Sequence, residues 1–226
     1  MVDAGQFLER MTTLTLDDGS VLEALFHRGD RAPAVVIAPG VPGAGGIMEG
    51  PVVTELTWAI ARVGHSTIRF NFRGVGASTG ALEVLDLVDG EAVSARSLAT
   101  MARDLEAAVT RQRENFEGEP IAVVAYAFGA EVALALDAPI ERLVLVAPRA
   151  ESICVWSAAI ALRRETVTVV LPRGLLDDAA TEALAASGVD VRVVEGSDAR
   201  LTRGLPALGR AVASLLTDDR PAWIER

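Results

Sequence analysis

The sequence predicts an α/β fold, a mostly parallel sheet held between helices as a three-layer α/β/α sandwich, with an N-terminal antiparallel hairpin. Three observations carry that prediction. Continuous apolar runs of strand length recur along the chain, helical runs alternate with them, and two successive strands without a helix between them stand at the front. A strand covered on both faces has no polar side to show, so "APAVVIAP" (32–39) and "IAVVAYA" (121–127) read as interior strands of such a sheet.

Taken in order, "MTTLTLDD" and "SVLEALFHRG" are two strands meeting at an Asp-Gly turn. Strand 32–39 begins the alternation, followed by helix 51–64, strand 66–72, helix 97–115, strand 121–127, helix 130–136 and strand 141–148. A short helical stretch leads to strand 166–172, and helix 177–187, strand 189–196 and helix 205–216 complete the pattern. Within 97–115, Met101, Leu105, Ala108 and Val109 share one face, and Leu205, Leu208, Val212, Leu215 and Leu216 do so in the last helix. No repeat or low-complexity linker divides the chain. Its 226 residues therefore read as one domain, 1–226, with a short C-terminal tail over 217–226.

A net charge of −10 argues against nucleic acid and anionic membrane surfaces as partners, because phosphates require a basic stripe. All 21 basic residues are arginine, which excludes a lysine Schiff base and a P-loop lysine. The single cysteine, Cys154, forbids an internal disulfide and suits a reducing compartment. Its apolar surroundings, "ESICVWSAAIAL", predict a buried core thiol. No basic, apolar leader opens the sequence, and no apolar run approaches the ~20 residues of a membrane helix, so a soluble, cytoplasmic protein is expected.

Residues 122–134, "AVVAYAFGAEVAL", describe a strand entering a sharp turn into a helix. A nucleophile sits at the tip of such a turn in one large enzyme class, within G-x-S-x-G, where strain demands small neighbours. Here the five positions are Ala125, Tyr126, Ala127, Phe128 and Gly129. The small residues remain and the hydroxyl does not.

Three stretches together resemble the small α/β-hydrolases, in the branch related to serine aminopeptidases and dienelactone hydrolase. The stretch "AVVIAPGVPGAGGIMEGPVVTELTWAIARVGHSTIRFNFRGVGAS" is similar to the front half of that branch, with Gly45, Gly46, Met48 and the whole of 69–78 matching. The stretch 122–134 resembles the nucleophile elbow, and 166–216 the end of the sheet that bears the acid and the base. By that resemblance the nucleophile position falls on Ala127, the acid on Leu175 and the base on Ala199, with Asp198 the alternative after a one-residue slip. None of the three residues has a proton to move. The two histidines, His27 in the hairpin and His65 at the start of strand 66–72, lie where the fold presents no general base.

What the resemblance implies is a non-catalytic relative that binds a small acyl or carboxylate ligand or a protein partner, without cofactor or metal. Backbone contacts of the oxyanion kind would come from Gly40, Val41 and Phe128. The old cleft, bordered by Val41, Ala127, Phe128, Leu175 and Ala199, is then either an apolar pocket or filled. A homodimer is compatible with the fold and with its acidic surface.

Two other readings stand beside it. One is an active serine hydrolase, esterase- or peptidase-like, with a nucleophile relocated to Ser78, Ser152 or Cys154 and a carboxylate as base. The other is a dinucleotide-binding domain, because "GVPGAGG" follows a strand and precedes a helix. G-x-G-x-x-G fails at Met48, although Arg73 offers a cation for a 2′-phosphate. Ser78 and Asp104 read as structural, the latter as a loop anchor. Trp58 and Trp156 read as core or interface residues.

Overall fold

The computed structural model describes residues 8–40, 46–81 and 95–217. Eight strands form one sheet in the order β1-β2-β4-β3-β5-β6-β7-β8. The opening hairpin is β1 (Glu9–Thr15) and β2 (Val21–His27), and β2 joins the rest antiparallel to β4 (His65–Phe70). All other pairs are parallel: β3 (Arg31–Ala38) between β4 and β5 (Ile121–Tyr126), then β6 (Arg142–Val146), β7 (Val167–Pro172) and β8 (Asp190–Val194). Mostly parallel pairing behind an antiparallel edge is what the apolar runs and the front hairpin predict.

The period of two along each strand divides the core. Val36, Ala38, Ile68, Phe70, Val123, Ala125 and Leu145 face one side. They are covered there by α2 (Ala95–Asn115), α3 (Gly129–Leu134), α4 (Ala150–Leu162) and α5 (Asp178–Ser187), through Met101, Leu105, Val132, Ile153 and Leu184. Val35, Ile37, Ala122, Val124, Val144 and Val146 face the other side, under α1 (Pro51–Arg62) and α6 (Leu205–Leu216), through Val53, Leu56, Ile60, Leu208 and Val212.

Helix boundaries follow local chemistry. Pro51 opens α1, where its missing N–H costs nothing. Asp177 caps α5 by accepting from Ala180 N at 2.8 Å, and Gly188 ends it in the left-handed region at φ 67°.

Two expectations are corrected. The short helical stretch is a full helix, α4, of 13 residues. Cys154 is exposed, not buried. Both errors have one cause: α4 is apolar all round, so no periodicity marks which face the sheet covers, and only Ser152, Ile153 and Ile160 are buried. Val41, Gly45 and the tail beyond residue 217, with Trp223 and Ile224, lie outside the described residues. No helix among the described residues is long and apolar enough to cross a membrane.

Candidate functional site

Loops at the carboxyl ends of parallel strands are where an open α/β sheet holds its ligands. At that edge β5 runs into Ala127, whose φ of 50° places it in the left-handed region. A Cβ there costs about 1–2 kcal/mol. The conformation is locked on both sides: Ala127 N donates to Val146 O at 2.9 Å, and Ala127 O accepts from Ala130 N at 3.1 Å. The neighbouring strand ends alike, with Ala147 at φ 46° and its N–H on Val170 O.

The small neighbours of the turn have distinct reasons. A Cβ on Gly129 would stand 2.4 Å from Pro39 O and 2.9 Å from Ala38 O, so only glycine lets α3 start against the end of β3. Gly40 lies over the tip, where an added Cβ would meet the Tyr126 ring at 3.4 Å and the Ala127 methyl at 3.6 Å. Ala125 is fully buried in the sheet. Gly40, Tyr126 and Ala127 are thus brought together, and Tyr126 and Ala127 are partly exposed beside buried Gly40 and Phe128.

Phe128, Leu175 and Ala199 each have surroundings of their own. Phe128 turns its ring into the core beneath the elbow, fully buried, with the Arg149 guanidinium 5.6 Å from the ring centre. Only its backbone faces the question of binding, and its N–H takes no acceptor among the described residues. Leu175 is half-buried and lines an apolar crevice of about 400 Å³ with Leu171, Leu176, Leu184 and Val193. Ala199 is exposed in a turn. Beside it, Asp198 accepts Thr202 N at 2.7 Å and Thr202 Oγ1 at 2.5 Å, and those hydrogen bonds hold its carboxyl below the usual range. Asp198 is a loop-closing residue.

Both histidines stand away from the turn. His65 pairs with Arg31 at the start of β3, whereas Ala125 pairs with Ala38 at its end. That length of strand is roughly 20 Å. His65 is fully buried, its Nδ1 on Pro33 O at 3.0 Å and Arg31 O at 3.2 Å, and burial lowers its pKa. His27, the last residue of β2 and one strand in from the edge of the sheet, pairs with Thr67 and holds Leu8 O at 3.0 Å through Nδ1.

The 69–78 stretch serves structure. Asn71 Oδ1 accepts Met48 N at 2.8 Å while its amide donates to Glu23 Oε1 at 2.5 Å, so one side chain ties the segment around Met48 to the hairpin. Arg69 donates to Met48 O at 2.7 Å and to both Glu9 oxygens. Arg73 places Nε and Nη2 on Asp104 Oδ1 at 2.9 and 2.7 Å and Nη1 on Asp18 at 2.9 Å; the Asp104 hydrogen bonds raise its pKa. Asp104 also accepts Arg73 N at 3.0 Å, as expected of a loop anchor. An Arg73 so engaged has no hand left for a 2′-phosphate.

The alternative nucleophiles are likewise engaged or unassisted. Ser78 Oγ donates to Asn71 O at 2.9 Å and accepts Glu23 N at 3.0 Å. Ser152 Oγ bonds Glu131 Oε1, the same oxygen that takes Nε and Nη2 of Arg149 at 2.9 and 2.6 Å. This buried group, which sequence reasoning missed, ties α3 to the start of α4. Its only sequence signal is a glutamate inside an otherwise apolar short helix. Among the described residues no cluster of acidic, His or Cys side chains could hold a metal ion.

Comparison with known proteins gives a consistent picture. The family model of serine aminopeptidases, S33, matches residues 33–193, more than half of the chain. The chain is similar in structure to a lidless α/β serine hydrolase from Xanthomonas campestris, with a TM-score of 0.70 and 21% identity over 95% of this chain and 96% of that one. It is similar as well to an α/β serine hydrolase homologue from Coxiella burnetii, TM-score 0.68, 21% identity, 95% and 99% covered. A third likeness is Est1E from Butyrivibrio proteoclasticus, solved with ferulic acid bound, TM-score 0.69, 15% identity, 92% and 98% covered. No curated protein matches the sequence.

Proposed function

The chain belongs to the serine aminopeptidase family of α/β-hydrolases, and from that premise we propose that it is a non-catalytic member, which binds a small acyl or carboxylate ligand, or a segment of a protein partner, over a chemically inert elbow. The observation that carries this reading is Ala127: the left-handed turn and the glycine that lets α3 start against β3 are present, and the side chain they present is a methyl group. Acyl transfer needs a hydroxyl, a base within hydrogen-bond reach and a group to orient the base. Leu175 and Ala199 supply none of these, and the histidines are far along the sheet. What persists at the turn is a hydrogen-bond donor, Phe128 N–H, beside the apolar surface of Ala127 and Gly40. A donor next to an apolar wall suits the carbonyl or carboxylate end of a short acyl compound. The ferulic acid held by Est1E, itself a carboxylic acid, supports the choice of ligand class.

The test has two arms. Purified protein is incubated with a fluorophosphonate probe and with p-nitrophenyl esters; no labelling and no turnover are expected. It is then titrated with ferulate and hexanoate while the Phe128 amide is followed by NMR; a saturable shift centred on residues 126–129 is expected. Covalent labelling at Ser78, Ser152 or Cys154, or turnover abolished by changing one of them, overturns the reading in favour of a relocated nucleophile. The triple variant Ala127→Ser, Leu175→Asp, Ala199→His asks whether the scaffold still supports the chemistry, and recovered ester hydrolysis would support descent from a working enzyme.

A further inference from the structure

An apolar crevice of about 400 Å³ opens at the carboxyl edge of the sheet, between α5 and the ends of β7 and β8. Its floor is Leu171 and Leu184, both buried, and its rim is Leu175, Leu176 and Val193, the last 52% exposed. A Cβ added at Gly174, on the same rim, would meet nothing within 4 Å, so the mouth is open rather than packed. Among the described lining residues Thr181 alone has a polar side chain, and its hydroxyl donates to Asp177 O at 2.8 Å. A polar guest would lose its water here and gain no hydrogen bond from a side chain, so the crevice suits hydrocarbon. A peptide segment meets the same obstacle through its backbone.

We propose that this crevice holds the hydrocarbon chain of the carboxylate whose head lies at the elbow, an inference that rests on the elbow site proposed for the small ligand. The register of the sheet sets the span. Tyr126 pairs with Val146 and Val146 with Val170, and just beyond them Ala127 N donates to Val146 O and Ala147 N to Val170 O. Ala127, Ala147 and Leu171 therefore stand in line at the ends of three neighbouring strands, and two strand spacings set Leu171 about 10 Å from Ala127. An extended alkyl chain advances about 1.3 Å per carbon, so about eight carbons cross the strand ends. Only the carbons beyond them enter the crevice, where they cover Leu184 and the exposed Val193. The ligand is accordingly a straight-chain fatty acid longer than about eight carbons.

The full chain is titrated with hexanoate, octanoate, decanoate and dodecanoate while the amides of residues 126–129, Leu184 and Val193 are followed by NMR. Hexanoate and octanoate are expected to move the elbow amides alone. From octanoate to dodecanoate the affinity is expected to rise about four-fold per methylene, with Leu184 and Val193 shifting as well. Val193→Asp puts a charge at the mouth, and Ala185→Phe, at another exposed lining position, fills it. Each is expected to cut the gain to under about two-fold per methylene while the circular dichroism spectrum stays native. Leu162→Asp, exposed on α4, keeps the full gain, which separates the crevice from general adsorption of chains to apolar surface. Elbow shifts with hexanoate but equal affinities for octanoate and dodecanoate overturn the fatty-chain inference and leave the elbow site standing. A chain-length gain without any shift at 126–129, or no binding of any acid, overturns the elbow as a carboxylate site and this inference with it. A gain that survives Val193→Asp and Ala185→Phe, or that Leu162→Asp abolishes, overturns the crevice.

Discussion

Two regions of this molecule, at the ends of β4 and β5 on either side of β3, have opposite chemistry. Beneath the 69–78 loop, Arg69, Asn71, Arg73, Ser78 and Asp104 are all buried, and each is held by hydrogen bonds. At the elbow the turn presents the Ala127 methyl, and Leu175 and Ala199, proposed above to stand at the acid and base positions, are apolar as well. The contrast teaches which constraints are structural. A buried carboxylate facing a guanidinium cannot lose its partner without leaving a charge stranded. A side chain at the tip of the turn carries none of the packing around it, so on the proposed reading a methyl can stand there in place of a hydroxyl at no structural cost.

Asp104→Ala is the strongest blow to the polar side of that contrast. It takes the acceptor from Arg73 Nε, Nη2 and N–H together, leaving the guanidinium only the more exposed Asp18, and a loss of about 3–5 kcal/mol in urea unfolding is expected. Should Asp104→Ala prove nearly neutral, the network is not what holds the loop.

On the elbow side, Gly129→Ala forces a methyl against Pro39 O, where only 2.4 Å is open. Overpacking against backbone of this kind costs about 1–3 kcal/mol, read as a lower melting temperature. Its mirror is Ala127→Gly. Removing the Cβ from a residue at φ 50° relieves left-handed strain, offset in part by the freer unfolded chain, so a gain of about 0.5–1 kcal/mol is expected. A loss on Ala127→Gly would mean that the methyl is needed for packing and that the turn is no relic.

The smallest effect concerns pH. His65 Nδ1 faces two carbonyl oxygens and so carries the ring proton, while buried Nε2 finds no partner among the described residues. A second proton has nowhere to bond, and burial lowers the folded pKa below the ordinary histidine value of about 6.5. The unfolded chain therefore binds protons first: the contribution is full above about 6.5 and falls away as pH drops through the interval down to the folded value. Urea midpoints measured from pH 8 to 5 should decline for the native sequence and decline less for His65→Asn.

Much of this was legible without coordinates. The continuous apolar runs at 32–39 and 121–127 could belong only to strands covered on both faces, and the paired faces of 97–115 and 205–216 announced their helices. The turn was legible through "AVVAYAFGAEVAL", because the need for small residues around a strained turn is written in residue types. The role of Glu131 was not, since one acidic residue in an apolar helix does not name the Arg149 and Ser152 that meet it from another element. Nor was the exposure of Cys154, because a helix with apolar residues on every side gives no phase.

The sequence by itself determined the layer architecture, the order of its elements and the methyl group at the turn, because each depends on local residue type and period. Tertiary structure alone decided which charges meet across the loop, how far His65 stands from Ala127, and which face of α4 the sheet leaves open. Those are distances between segments remote in the chain, and periodicity within a segment carries no information about them.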